Sequence, residues 1–146
     1  MLISNLGIAL IKKFENFKGI EYLCSSGFPT IGYGHRILKG ESFKFITEPE
    51  AIKLLRNDLN IVETYLNSVI RESITQDMFD SLASLIYNWG CAAFGNSKGL
   101  KFLNKNQFSL AAIEFFSREK GVVNSKGKFS NGLYKRRQAE LNLWRS

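Results

Sequence analysis

The most constraining feature of this sequence is an apolar stripe that follows a helix start signal. Ile52, Leu55, Leu59, Val62, Leu66 and Val69 recur at steps of three and four, which aligns them on one face of a helix. Just before them, Thr47-Glu48-Pro49-Glu50 forms a capping box, in which the Thr47 hydroxyl accepts from the Glu50 amide and Glu50 reaches back. A long helix is therefore expected from position 48 to about 71. The stripe is too short for a coiled-coil seam, which needs about three to four heptads. It reads instead as a core helix that links two parts of one molecule.

What flanks that helix differs on its two sides. Ile3, Leu6, Leu10, Ile11 and Phe14 predict a first helix over 2–14, with Gly19 ending the pattern. Over 20–46, Tyr, Phe, Ile and Thr alternate with Gly27, Gly32, Gly34 and Gly40, which reads as a small antiparallel sheet with tight turns. After the long helix, Thr75 caps a helix carrying Phe79, Leu82, Ile86 and Trp89 on one face, and Gly90 terminates it. Shorter helices are expected at 98–104 and 108–116, a loop at 117–131, and a last helix at 133–144. The class is α+β. The chain of 146 residues is expected to form one domain. Its sheet-containing lobe would cover about 15–50, its linking helix 48–71, and its helical lobe 72–146 with the first helix packed on it.

Composition excludes several functions. No run approaches the ~20 apolar residues of a membrane span. The apolar start is followed, not preceded, by Lys12 and Lys13, which is the wrong order for a signal peptide. The two cysteines, Cys24 and Cys91, make no disulfide framework, and with one histidine no structural metal site is expected. Reduced thiols in a cytoplasmic chain are the simplest reading. The net charge of +7 is unevenly placed: residues 1–97 carry 9 basic and 10 acidic side chains, residues 98–146 carry 11 and 3. A basic surface favours a polyanion, whether nucleic acid, anionic lipid or cell wall, and charge alone does not choose among them. The aromatics stand at core spacing, which argues against a nucleic-acid interface.

Two segments carry candidate chemistry. Glu15 follows the apolar Phe14 at the end of the first helix. A helix C-terminus is electronegative and favours the neutral form of a carboxyl, and desolvation by Phe14 and Phe17 would add to this. A general acid needs that form; the plainer alternative is a surface Glu among Lys12, Lys13 and Lys18. The second segment, Thr30-Ile31-Gly32-Tyr33-Gly34-His35, lacks the spacing of a dinucleotide fingerprint and reads alone as a Gly-rich hairpin. Thr30 is placed there to position a water, and His35 to hydrogen-bond across the sheet.

Taken together, Glu15, Cys24 and Thr30 show a Glu, eight residues, Cys, five residues, Thr spacing. With Thr30 to His35, Asn88-Trp89-Gly90, Phe94 to Ser97, Gly132-Leu133, Arg136-Arg137 and Glu140, the chain resembles the phage lysozyme family over nearly its whole length. The resemblance implies a lysozyme-like fold of two lobes with a cleft between them. It implies hydrolysis, without a cofactor or metal, of the β-1,4 bond between N-acetylmuramic acid and N-acetylglucosamine in bacterial peptidoglycan. Glu15 matches the general acid, and Thr30 matches the residue that orients the attacking water. Cys24 stands where other members have Asp. His35, Asn88 and Ser97 match positions at the cleft. Cys24 departs from a pair of carboxylates; it would serve as a thiolate, a nucleophile or an orienter of water, against the plain reading of a buried small apolar residue. Cys91 reads as core.

The resemblance also implies a monomer that binds peptidoglycan, neither nucleic acid nor a membrane interior. It would wait in the host cytoplasm for a holin-type pore. A lytic transglycosylase and a non-catalytic wall-binding relic are the alternatives. The basic last third would hold the enzyme on an anionic wall. In the last helix, Leu133, Arg137, Leu141 and Trp144 share a face, so Arg137 requires a carboxylate partner.

Overall fold

A computed structural model describes residues 1–146. Helix α1 (Asn5–Glu15) starts at Ser4, whose hydroxyl accepts from the Leu6 and Gly7 amides. Ile3 lies before it rather than in it, and its N–H donates to the buried Glu63 at 2.8 Å. The helix ends three residues ahead of Gly19, at Asn16, which takes φ 58°. Asn enters that left-handed region more readily than other side chains, so no glycine is needed there.

Strands β1 (Lys18–Leu23), β2 (Pro29–Gly32) and β3 (His35–Arg36) form an antiparallel sheet in chain order. Tyr22 faces Thr30, and Thr30 faces Arg36, across the three strands. Directly opposed residues project to the same face of a sheet, and successive residues alternate. Tyr22, Thr30 and Arg36 therefore form one row, and Ile31 and His35 point the other way, toward the long helix.

Helix α2 (Glu48–Val69) begins as the capping box requires: Thr47 accepts from the Glu50 amide at 3.4 Å. Glu50 answers by accepting from the Thr47 hydroxyl at 3.0 Å. Ala51, Leu55, Leu59, Val62 and Leu66 are buried, whereas Ile52 is exposed because Ala51 takes the place against the sheet beside Gly32. The first half of α2 packs on β2 and its second half continues among helices. Glu48 accepts from the Tyr33 hydroxyl at 2.9 Å and from Lys12 at 3.2 Å, which ties the start of α2 to the sheet and to α1.

Helix α3 (Gln76–Trp89) is buried all round from Met78 to Ile86, with α1, α2 and the last helix of the chain packed against it. It ends at Gly90, whose φ of 99° a side chain would resist. Then come α4 (Cys91–Gly95), α5 (Lys98–Leu103) and α6 (Phe108–Phe116). The stretch 117–131, expected as loop, contains a short hairpin of β4 (Asn124–Ser125) and β5 (Lys128–Phe129), turned through Lys126 and Gly127 at positive φ. Helix α7 (Asn131–Trp144) starts two residues before the expected 133 because Ser130 caps it, accepting from Leu133. No helix is long and apolar enough to cross a membrane.

Candidate active site

Glu15 is the last residue of α1, and its side chain is 19% exposed. Oε1 accepts from Arg136 Nη1 of α7 at 2.7 Å. Arg136 is itself fixed by Glu140 at 3.3 Å and by the Ser84 carbonyl at 3.3 Å. The apolar shield expected from Phe14 and Phe17 is thus replaced by a guanidinium: Phe14 lies 5.7 Å from that guanidinium, and Phe17 packs on Tyr33. The other carboxyl oxygen faces Gly34. A β-carbon at Gly34 would stand 2.7 Å from Oε2, and the residue already has φ 83°. Space and backbone both call for glycine at this one position.

Opposite Glu15 stands the row of the sheet. Thr30 is 2% exposed and its hydroxyl donates to the Phe28 carbonyl at 2.8 Å. Cys24 follows the end of β1. Hydrogen bonding from the Phe28 backbone, helped by Ser26, Thr30 and the charge of Arg36, holds its thiol below the ordinary range. Burial does the reverse to Cys91, pushing that thiol up. Both cysteines are free. Tyr87, mostly buried and pushed up by that burial, donates to the Tyr33 carbonyl at 2.6 Å and closes the floor.

Glu15, Cys24, Thr30 and Asn88 line a single cavity of about 190 Å³, with Tyr22, Gly34 and Arg36. Through Glu15 and Asn88 it opens into a groove of about 590 Å³ between Ser25-Ser26 of the sheet side and Asn124, Ser125 and Arg136 of the helical side. Trp89 and Asn124 carry that groove on into a further section of about 350 Å³, where Ser97, Lys98 and Lys120 lie. An open trough this long suits an extended polymer with the carboxyl near one end.

The structure brings five of the six expected site residues to this trough. His35 is the exception. It is 5% exposed, on the α2 side of the sheet, with Nδ1 at 2.7 Å from Asp58 and Nε2 at 2.9 Å from Glu41. The reason is strand alternation: Thr30 and His35 fall on opposite faces. Nor does Ser97 offer a free hydroxyl, since it donates to the Phe94 carbonyl at 2.6 Å and caps α5. Asn88 presents its carbonyl oxygen to Arg137 Nη1 at 3.0 Å.

Known proteins decide what this trough belongs to. The family model for phage lysozyme matches residues 12–140. The chain belongs to the phage lysozyme family. An endolysin of Acyrthosiphon pisum secondary endosymbiont phage 1 is 40% identical, over 100% of this chain and 99% of the relative. A crystal structure of a lysozyme mutant of phage P22 superposes with TM-score 0.84 at 35% identity, covering 100% and 99% of the two chains. The muramidase domain of SpmX from Asticaccaulis excentricus does so with TM-score 0.84 at 30% identity, covering 99% and 97%. This phage lysozyme is an endolysin muramidase, a glycoside hydrolase acting on bacterial peptidoglycan. Its α+β fold is the lysozyme fold.

The sequence alone gives no role to Arg136, whereas its neighbour Arg137 is expected to find a carboxylate. Arg137 does pair with Glu140, at 2.6 Å, inside the core. Arg136 uses the same Glu140 as a brace and offers its other end to Glu15 of this lysozyme, 121 residues away. The only available signal was the pair of adjacent arginines four and three residues before Glu140 on one helix.

Proposed function

We propose that Glu15 is the general acid of this muramidase, protonating the glycosidic oxygen that leaves when the β-1,4 bond between N-acetylmuramic acid and N-acetylglucosamine breaks. The observation that carries the reading is the shared cavity: a carboxyl on a helix end faces a thiol and a threonine on the opposing sheet. Arg136 holds one carboxyl oxygen and so fixes the direction in which the carboxyl meets the cavity. Thr30 orients the attacking water, and Cys24 supplies the second ionisable group. Hydrogen bonding from the Phe28 backbone holds its thiol below the ordinary range, which favours the thiolate form. Asn88 contributes its amide nitrogen to the glycan path, and Ser97 shapes the far section as the cap of α5. His35 acts from behind the sheet, fixing the hairpin that bears Thr30 and Gly34. No metal or cofactor enters this scheme.

In the same proposal the enzyme works as a monomer of one domain and reaches the wall from the host cytoplasm through a holin-type pore. The test of the catalytic reading is loss of turbidity in outer-membrane-permeabilised cells. Glu15→Gln keeps the shape of the side chain but has no proton to give. It should lower the rate by on the order of 10²–10⁴-fold or more while remaining folded. Near-normal lysis by a folded Glu15→Gln enzyme would remove Glu15 from the mechanism.

A further inference from the structure

The cavity holds a cation whose field helps lower the Cys24 thiol but which has no contact with substrate in the scheme above. Arg36 of β3 lies opposite Thr30, so its side chain rises from the same face of the sheet as Thr30 and Tyr22. It lines the cavity shared by Glu15 and Cys24. Its guanidinium carbon sits 4.0 Å from the centroid of the Phe28 ring, at cation–π distance. Arg136, the other arginine at this end of the trough, has carboxylates at ion-pair distance, whereas Arg36, like the surface arginines Arg71, Arg118 and Arg145, has none. A charged fork beside an aromatic ring, exposed and unpaired at the wall of the reacting cavity, is arranged for an anion from outside.

We propose that Arg36 is a specificity residue that binds a carboxylate carried by the muramic acid substituent of the glycan strand. The inference rests on the muramidase reading and deepens it. The two sugars of the strand differ in charge: N-acetylglucosamine is neutral, and muramic acid bears a lactyl group at C3. That group ends in a carboxylate, or continues through an amide into a stem peptide that has carboxylates of its own. Among planar donors, guanidinium matches carboxylate geometry in bidentate fashion. An anion taken by Arg36 would set which sugar of the repeat lies against the sheet wall, and so which of the two alternating bonds reaches Glu15.

The experiment compares soluble glycan strands as substrates for the full chain. The strands are peptide-free with lactyl carboxylates, the same strands with those carboxylates converted to amides, and peptide-bearing strands with and without amidation. Wild type should show higher kcat/KM on carboxylate strands than on their amides. In Arg36→Gln that preference should shrink by about three- to tenfold, the range expected for one charge-assisted contact that is partly open to water. Arg36→Lys should restore part of it as a point charge. A preference confined to peptide-free strands assigns the lactyl carboxylate, and one confined to peptide-bearing strands assigns the stem.

A wild type that cleaves amidated and carboxylate strands equally overturns the proposal without needing any variant to fold. So does an Arg36→Gln enzyme that keeps the full wild-type preference. An equal loss on all strands, with a shift of the pH profile, also overturns it, because Arg36 would then act only through Cys24. Wild type inactive on every strand would instead be a failure of the muramidase reading.

Discussion

A single methyl group at position 34 would meet the carboxyl oxygen of Glu15 at 2.7 Å, on a residue with φ 83°. Gly34→Ala should therefore lose stability by about 1–2 kcal/mol through left-handed strain and lose kcat disproportionately, because the displaced carboxyl no longer faces the cavity. Urea unfolding and glycan hydrolysis measured on the same preparation check this; a variant that loses stability with full kcat would separate Gly34 from the site. At Cys24 the sign of the thiol shift matters. A lowered thiol is anionic from a lower pH, so wild-type activity should rise along a limb below the ordinary thiol range. Cys24→Asp should remove that limb and keep much of the activity, Cys24→Ser should be poor, and a thiol reagent should inactivate wild type before the Asp variant. Equal sensitivity of both would point to Cys91. For His35, burial pushes the imidazole down, but its bonds to Asp58 and Glu41 outweigh that and leave it raised. A raised pKa gives stability that is complete below the unfolded value of ~6.5 and is lost as pH rises through the folded one. His35→Gln should thus cost more at pH 5.5 than at pH 9, and an equal cost at both would contradict the charged contact. Glu15, Cys24 and Thr30 line one cavity, as the spacing they share with the phage lysozyme family implied. Arg136 was not legible, because its partner lies 121 residues away. The misplaced His35 came from parity: Thr30 and His35 stand on opposite faces, and Arg36 stands on the face of Thr30.

Helix α2 decides where the sheet sits relative to the helices, and its start is the clearest local signal in the chain. Thr47→Ala removes the hydroxyl that accepts from Glu50 and should lower stability by about 1 kcal/mol, or about 2–4 °C in Tm for a chain of this size. Thermal unfolding checks it; no change in Tm would mean the first turn is held by Glu48 through Tyr33 and Lys12 instead. The capping box, the apolar stripe and the stops at Gly90 were readable because each rests on neighbours within a turn or two. Two boundaries were not. Asn16 ended α1 in a conformation usually given to glycine, so the pattern pointed to Gly19. The hairpin at 124–129 has strands of two residues, too short for alternation to show, and only Lys126-Gly127 marked its turn. Ile52 left the stripe because the sheet comes close enough at Gly32 to prefer Ala51 there, a tertiary fact that no helical period contains.

Across the whole molecule the charge is divided much as the sequence is, and the basic end reaches the trough through Lys98 and Lys120. Lys101, Lys105, Lys126 and Lys128 are exposed. Neutralising the four together should weaken lysis of whole walls more than cleavage of short neutral fragments. The wild-type advantage should fade with salt, since the Debye length is only ~8–10 Å at ~0.10–0.15 M. Equal loss on both substrates would place those lysines in folding or in the trough. The α+β class followed from the order of patterns, sheet signals first and helices after. The trough did not, because it is made where the sheet row, α1, α3 and the hairpin before α7 converge from distant parts of the chain. The most direct test of the account is the chemistry of the cut ends when purified peptidoglycan is digested by wild type and by folded Glu15→Gln. Wild type should leave new reducing ends on N-acetylmuramic acid, and Glu15→Gln almost none. Ends closed as 1,6-anhydro rings, or the same reducing ends at an undiminished rate with Glu15→Gln, would contradict this mechanism.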